Sequence, residues 1–249
     1  MLRARSKQPQ KRAPKSKTGT RVVAIATGDE PPLAFDLKEW LGEVEQYYSK
    51  KIQRYGATPL GVDWSCVPTQ EMRFVQLLKI CKFDAPVQIN DIGCGYGALL
   101  AFLGKRYRSK KIDYLGVDIS APMIAHAKKR WKNRKNAAFE NTSFGYRAAD
   151  YSVASGIFNV KLNQPIAMWE QLIEKTLGEM HARSRLGFSV NFLAPMPDGG
   201  QHIPELYRAP PEIWRRYCEQ VMNADVELIA NYGMREYTLL VRNKSTAAG

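Results

Sequence analysis

The chain has 249 residues, 45% of them hydrophobic, and a formal net charge of +13. That length can bury one sizeable α/β core, and no apolar run approaches the roughly 18 residues a helical membrane span needs. Residues 1–21 hold eight Lys/Arg and no acid, so the rest of the chain is only +5; the charge sits in one segment and is not spread over a basic domain.

In chain order, residues 1–35 read as a disordered basic tail and linker, with few apolar residues and Pro31-Pro32 at its end. The segment lacks the apolar core of a secretory signal, and its prolines and lysines without an apolar face speak against a transit peptide. Residues 36–84 read as an N-terminal helical cap. Asp36 is placed to cap a helix in which Leu37, Leu41, Val44, Tyr48, Ile52 and Tyr55 recur at steps of three and four, stopped by Gly56. A loop follows over 56–68. Thr69 is placed to cap a second helix carrying Phe74, Leu77, Leu78 and Cys81 on one face.

Residues 85–243 alternate strand and helix, which predicts a parallel sheet wrapped by helices. Strands are predicted over 87–92, 112–118, 144–149, 152–158 and 187–193, and helices over 97–107, 121–131 and 165–180. Ser120 is placed to cap the second of these helices. The alternation then breaks. Residues 226–230 and 236–242 are strand-like and too close for a helix between them, so they pair as an antiparallel hairpin. Residues 244–249 read as a second disordered tail.

The most informative stretch is Val87-Gln88-Ile89-Asn90-Asp91-Ile92-Gly93-Cys94-Gly95-Tyr96-Gly97. An apolar strand ends in an acid, three glycines follow at alternate positions, and a helix begins. Such a turn brings bare backbone close to a ligand. The next strand ends in Asp118, 21 residues after Gly97, where an acid can accept both hydroxyls of a ribose. A dinucleotide site wants Gly-x-Gly-x-x-Gly and a pyrophosphate at the helix N-terminus. Here the spacing is Gly-x-Gly-x-Gly, and Asp91 would repel a pyrophosphate. A ligand with an ammonium and a sulfonium suits it better, and S-adenosylmethionine has both.

On Asp91-Ile92-Gly93-Cys94-Gly95-Tyr96-Gly97, Gly116-Val117-Asp118-Ile119-Ser120 and Ala149-Asp150-Tyr151, the chain resembles the class I, Rossmann-like S-adenosylmethionine-dependent methyltransferases over roughly residues 70–243. The resemblance implies a seven-stranded, mostly parallel sheet with helices on both faces and a C-terminal antiparallel hairpin, here with the N-terminal helical cap. It implies S-adenosyl-L-methionine as cofactor. The backbone of Gly93, Cys94, Gly95 and Gly97 would pass under its methionine part, Asp91 would contact its ammonium, and Asp118 would take its ribose hydroxyls. Ile119 and Met123 would pack on the adenine, and Asp150, with Tyr151 beside it, would accept from the adenine amino group.

The acceptor side is less defined. Asn159, at the end of the fourth predicted strand, is a candidate to orient an acceptor hydroxyl or amine. If the acceptor must lose a proton, the candidates for a base follow the fifth strand: Asp198, His202 and Glu205. Neutral His202 could act near pH 7. The long segment 194–211 leaves the carboxyl edge of the sheet, where loops often cover a site. Tyr47, Tyr48, Trp64, His202 and Tyr207 could then enclose a small-molecule acceptor. No metal site is expected, because Cys66, Cys81, Cys94 and Cys218 have no metal-ligand spacing; reduced thiols and the lack of a secretory signal point to the cytoplasm.

Three other readings stay open. One is a methyltransferase acting on RNA or protein, tethered by the basic tail. A nucleic-acid partner is not favoured, because the clusters at 105–111 and 128–135 follow helix C-terminal turns, where cations suit the helix dipole. Another is a non-catalytic cofactor-binding protein. The last, a nucleotide-dependent oxidoreductase, is disfavoured by the glycine spacing and the hairpin.

Overall fold

The computed structural model describes residues 37–197 and 199–244. The basic tail and linker, Asp36, Asp198 and residues 245–249 lie outside the described residues. In chain order the elements are α1 (Leu37–Tyr55), α2 (Val67–Leu77), β1 (Val87–Ile92), α3 (Ala98–Arg106), β2 (Ile112–Asp118), α4 (Ala121–Arg130), β3 (Ala137–Asn141), β4 (Ala149–Ala154), α5 (Ile166–Ala182), β5 (Ser184–Leu193), α6 (Pro211–Gln220), β6 (Asp225–Ile229) and β7 (Glu236–Arg242).

The sheet has seven strands in the order β3-β2-β1-β4-β5-β7-β6. β1 pairs in parallel with β2 and β4, β2 with β3, and β4 with β5. The chain walks outward from β1 to β3 and then returns to β4. The direction of winding therefore reverses between β1 and β4, and a crevice opens at their carboxyl ends. β7 is antiparallel to both β5 and β6. Its sequence explains its inner place: Tyr237, Leu239, Leu240 and Val241 are all buried, so both faces need cover. β6 alternates exposed and half-buried residues and takes the edge.

One apolar layer contains Phe188, Val190, Phe192, Trp214, Tyr237 and Leu239. The opposite layer contains Ile89, Leu99, Leu103, Tyr114, Val153 and Leu240. Alternation along β7 sends Leu239 and Leu240 to opposite layers. Ile52 and Val44 of α1 are buried as the helical spacing requires. Ser49 Oγ of α1 lies 2.8 Å from Ser120 Oγ, and Ser120 Oγ accepts from Met123 N to cap α4. The cap helix is thus fastened at the crevice.

The structure departs from the sequence reading at four elements. α2 begins at Val67, two residues before the expected cap: Pro68 suits a first helical turn, and Thr69 Oγ1 donates to Cys66 O. α6 was not anticipated. Strand three is β3, not 144–149, because Thr142 Oγ1 donates to Phe144 O and accepts from Phe144 N in a local turn and Gly145 has φ +73°. Strand four is therefore β4, and it starts earlier than expected. This moves Asp150 to the amino end of β4, on the edge away from the crevice. Its Oδ2 accepts from Gln88 N at 2.8 Å and its Oδ1 from Arg185 Nη2 at 2.7 Å. Tyr151 points into the layer of Ile89 and Leu240, and its OH accepts from Lys82 N. Neither residue lines the cavity at the carboxyl edge of the sheet.

Candidate active site

A cavity of about 630 Å³ occupies the crevice, within the range of small-molecule sites. It is lined by residues 91–96, by Asp118, Ile119 and Met123, and by Thr142, Ser143 and Phe144. Trp64, Arg73, residues 155–160, Glu205, Arg208 and Glu236 line it as well. Tyr47 and Tyr48 of α1 form a side wall.

The glycine loop is built as the strand–turn–helix pattern requires. Gly93, Gly95 and Gly97 all have positive φ, and a Cβ added at Gly93 would stand 2.3 Å from Ile157 Cγ2. Only glycine leaves the backbone open there. Gly97 does not line the cavity; it is the left-handed residue before α3, packed under Trp131. Asp118 Oδ2 accepts from Gly95 N at 2.8 Å and its Oδ1 from Ser120 N at 2.9 Å. The carboxylate thereby fixes the loop and keeps lone pairs for the cavity. Burial pushes its pKa up to about 6, against the two N–H donors that hold it down. Asp91 accepts from Tyr114 OH at 2.5 Å. Burial pushes its pKa up to about 7; the tyrosine hydroxyl opposes the shift and the Asp118 charge adds to it.

These residues fit S-adenosylmethionine. The glycine backbone would form its cradle, Asp118 would accept from two hydroxyls, and Asp91 is a buried acid without a cationic partner among the described residues, suited to an ammonium. Ile119 and Met123 supply apolar surface for a base. Thr142 and Ser143, which the sequence reading missed, line the cavity, and Asp150 does not.

A carboxyl whose folded pKa lies above its unfolded value favours folding in its protonated form. Asp91 therefore contributes stability below the ordinary carboxylate range, and that contribution is lost as pH rises towards about 7. Asp91→Asn should stabilise the ligand-free protein at about pH 8 by more than about 1 kcal/mol. An ammonium prefers the ionised carboxylate, so affinity for S-adenosylhomocysteine should rise between about pH 6 and pH 8 and should not do so in Asp91→Asn. Calorimetric titrations across that range check this, and a flat wild-type profile contradicts it.

The cavity wall at Trp64 rests on a buried polar chain. Arg73 stacks on Trp64, with its guanidinium carbon 3.7 Å from the ring centroid. Arg73 Nε donates to Glu236 Oε2 at 2.8 Å, and its Nη2 pairs with Oε1. Asn191 Nδ2 donates to Glu236 Oε2, and Asn191 Oδ1 accepts from Gly156 N at 2.7 Å. Gly156 has φ +73°, and a Cβ there would lie 2.4 Å from Trp64 Cζ2. α2, β7, β5 and the segment after β4 are thus tied together beneath Trp64. Across the cavity, Asp63 accepts from Lys51 Nζ at 2.5 Å and from Tyr47 OH. Asn159 is buried and lines the cavity, and its Oδ1 has no partner among the described residues; the same holds for Ser155 Oγ.

Two residues expected on the acceptor side lie elsewhere. His202 is exposed and does not line the cavity. Tyr207 is buried in the core: its OH donates to Glu170 Oε1 at 3.0 Å and accepts from Trp214 Nε1. It anchors the 203–208 wall from behind, and Tyr207 N donates to Asn159 O. Tyr48, Trp64 and Asn159 do line the cavity.

A sheet with this winding, a glycine loop at its switch point and an acid closing the next strand define a Rossmann-like cofactor-binding protein. A family model described as a methyltransferase domain matches residues 89–185. The Mycobacterium tuberculosis protein named "Putative methyltransferase Rv1506c" is 42% identical over 168 residues, 68% of this chain and 100% of the relative. Among solved structures, human N-acetylserotonin methyltransferase with S-adenosylmethionine aligns with a TM-score of 0.60 at 13% identity, covering 84% of this chain and 60% of that one. Synechocystis magnesium protoporphyrin IX methyltransferase with S-adenosylhomocysteine aligns at 0.55 and 13%, covering 82% and 100%. At that identity these two show the fold. The chain belongs to the class I S-adenosylmethionine-dependent methyltransferases. It is an enzyme whose cofactor is S-adenosylmethionine. Among the described residues no helix is long and apolar enough to cross a membrane.

Proposed function

We propose that the protein moves the methyl group to an oxygen or nitrogen atom of a small organic acceptor. One observation carries this reading: the residues proposed for donor and acceptor line a single cavity, walled by α1, by Trp64 and by Ile203, Glu205, Leu206 and Arg208. The two solved relatives act, by their names, on a porphyrin and on N-acetylserotonin, both small organic molecules.

Bound S-adenosylmethionine supplies a methyl already activated on a sulfonium. The chain's own part is to bind, align and exclude water. Asp118 holds the ribose hydroxyls and Asp91 the ammonium, with the Gly93–Gly95 backbone beneath. Ile119 and Met123 hold the base. Asn159 Oδ1 accepts a hydrogen bond from the acceptor hydroxyl or amine and turns its lone pair toward the methyl. Trp64 and Tyr48 confine the acceptor. Where a proton must leave, Glu205 takes the role first considered for His202, because Glu205 lines the cavity.

The test is transfer of label from methyl-labelled S-adenosylmethionine to a panel of phenols, amines and sugars, with RNA and protein alongside. Small-molecule labelling is expected, with Asn159→Ala lowering kcat/KM by about tenfold or more. Labelling confined to RNA or protein would sink the reading.

A further inference from the structure

We propose that Arg208 recognises a carboxylate on the acceptor, so that the substrate is a small organic acid. This rests on the small-molecule reading above. The cavity's acceptor end carries four charged side chains, Arg73, Glu205, Arg208 and Glu236. Arg73 and Glu236 neutralise each other in a buried pair. Arg208 makes no ion pair among the described residues. Its Nη1 donates to Ala194 O at 2.8 Å, which leaves Nε and Nη2 without partners among them.

The neighbourhood makes that guanidinium short of negative charge. Burial and the Arg235 charge both press on Arg208, while Glu236, already held by Arg73, opposes them. Leu193, Ile203 and Leu206 line the same part of the cavity with apolar surface. A half-buried guanidinium among apolar walls is stabilised by an anion with two oxygens in its plane. Glu205 also lines the cavity but is exposed, so its charge is screened by water. Arg208 stands just past the carboxyl end of β5, two strands from β1 and its glycine loop. This places it on the acceptor side, away from the donor's own carboxylate.

The test uses the full chain saturated with S-adenosylhomocysteine. Para-hydroxycinnamate and glucuronate are titrated calorimetrically, each beside its primary amide, into wild type, Arg208→Gln and Arg208→Lys. At least one acid should bind about tenfold or more tightly than its amide, Arg208→Gln should erase that preference, and Arg208→Lys should keep part of it. Thermal unfolding verifies that each variant is folded. Equal affinity of acid and amide, no measurable binding of either acid, or a preference untouched by Arg208→Gln overturns the proposal and leaves the methyltransferase reading intact. If Arg208→Gln weakens S-adenosylhomocysteine itself, the arginine belongs to the donor carboxylate and the proposal falls. Failure of the wild type to bind S-adenosylhomocysteine would instead strike the donor site.

Discussion

Asp118→Ala should lower affinity for S-adenosylhomocysteine by about 100-fold or more. Two hydrogen bonds from ribose hydroxyls to a carboxylate are worth roughly 1.5–3 kcal/mol each, and 1.4 kcal/mol is a factor of ten. The same carboxylate holds Gly95 N and Ser120 N, so its loss also loosens the glycine loop. Asp118→Asn separates the two effects. The amide keeps the shape and one acceptor oxygen, and it removes a buried charge whose pKa burial has pushed up to about 6. Its fold should therefore be at least as stable as the wild type above that pH, with an intermediate loss of donor affinity. Calorimetry with both variants decides: affinity within about threefold of wild type in Asp118→Ala would remove this residue from the donor site.

Glu236→Ala should cost about 3–5 kcal/mol of stability, because it leaves the buried Arg73 guanidinium without its counter-charge. For a chain of this size that corresponds to a fall in Tm on the order of 10 °C. The double variant Arg73→Met with Glu236→Gln should recover more than half of the loss, since neither buried charge is then left alone. Glu236 also holds Asn191, and through it Gly156 N. Activity should therefore fall in the single variant even at temperatures where it stays folded. Losses that simply add in the double variant would show that the two residues are not coupled, and the account of the acceptor-side framework would fail.

How much of this was legible in the sequence varies by element. β1 and β2 were legible because continuous apolar runs ended in acids and glycines, a local pattern that needs no partner to be read. The β6–β7 hairpin was legible from spacing alone. β3 was not: only Phe139 of its five residues is buried, as suits an edge strand, so the apolar signal was weak. Residues 144–149 looked more strand-like, yet the Thr142 turn and Gly145 break the chain there. That single slip carried Asp150 to the wrong edge of the sheet. Tyr207 misled for another reason. An aromatic residue in a loop near a site has the same sequence signature whether it faces the ligand or the core, and here Glu170 and Trp214 take its hydroxyl.

By itself the sequence determined the glycine loop and the two acids beside it. Positive-φ glycines, the acid before them and the acid at the end of the next strand are set by neighbours within about 30 residues, and the βαβ unit has one favoured hand. Only the tertiary structure decided the framework around Trp64 and α1. Arg73 meets Glu236 across 163 residues of chain, and α1 reaches Ser120 across 71. Such partners are chosen by which buried polar groups can satisfy one another once the sheet has closed. No local pattern of residues records that choice.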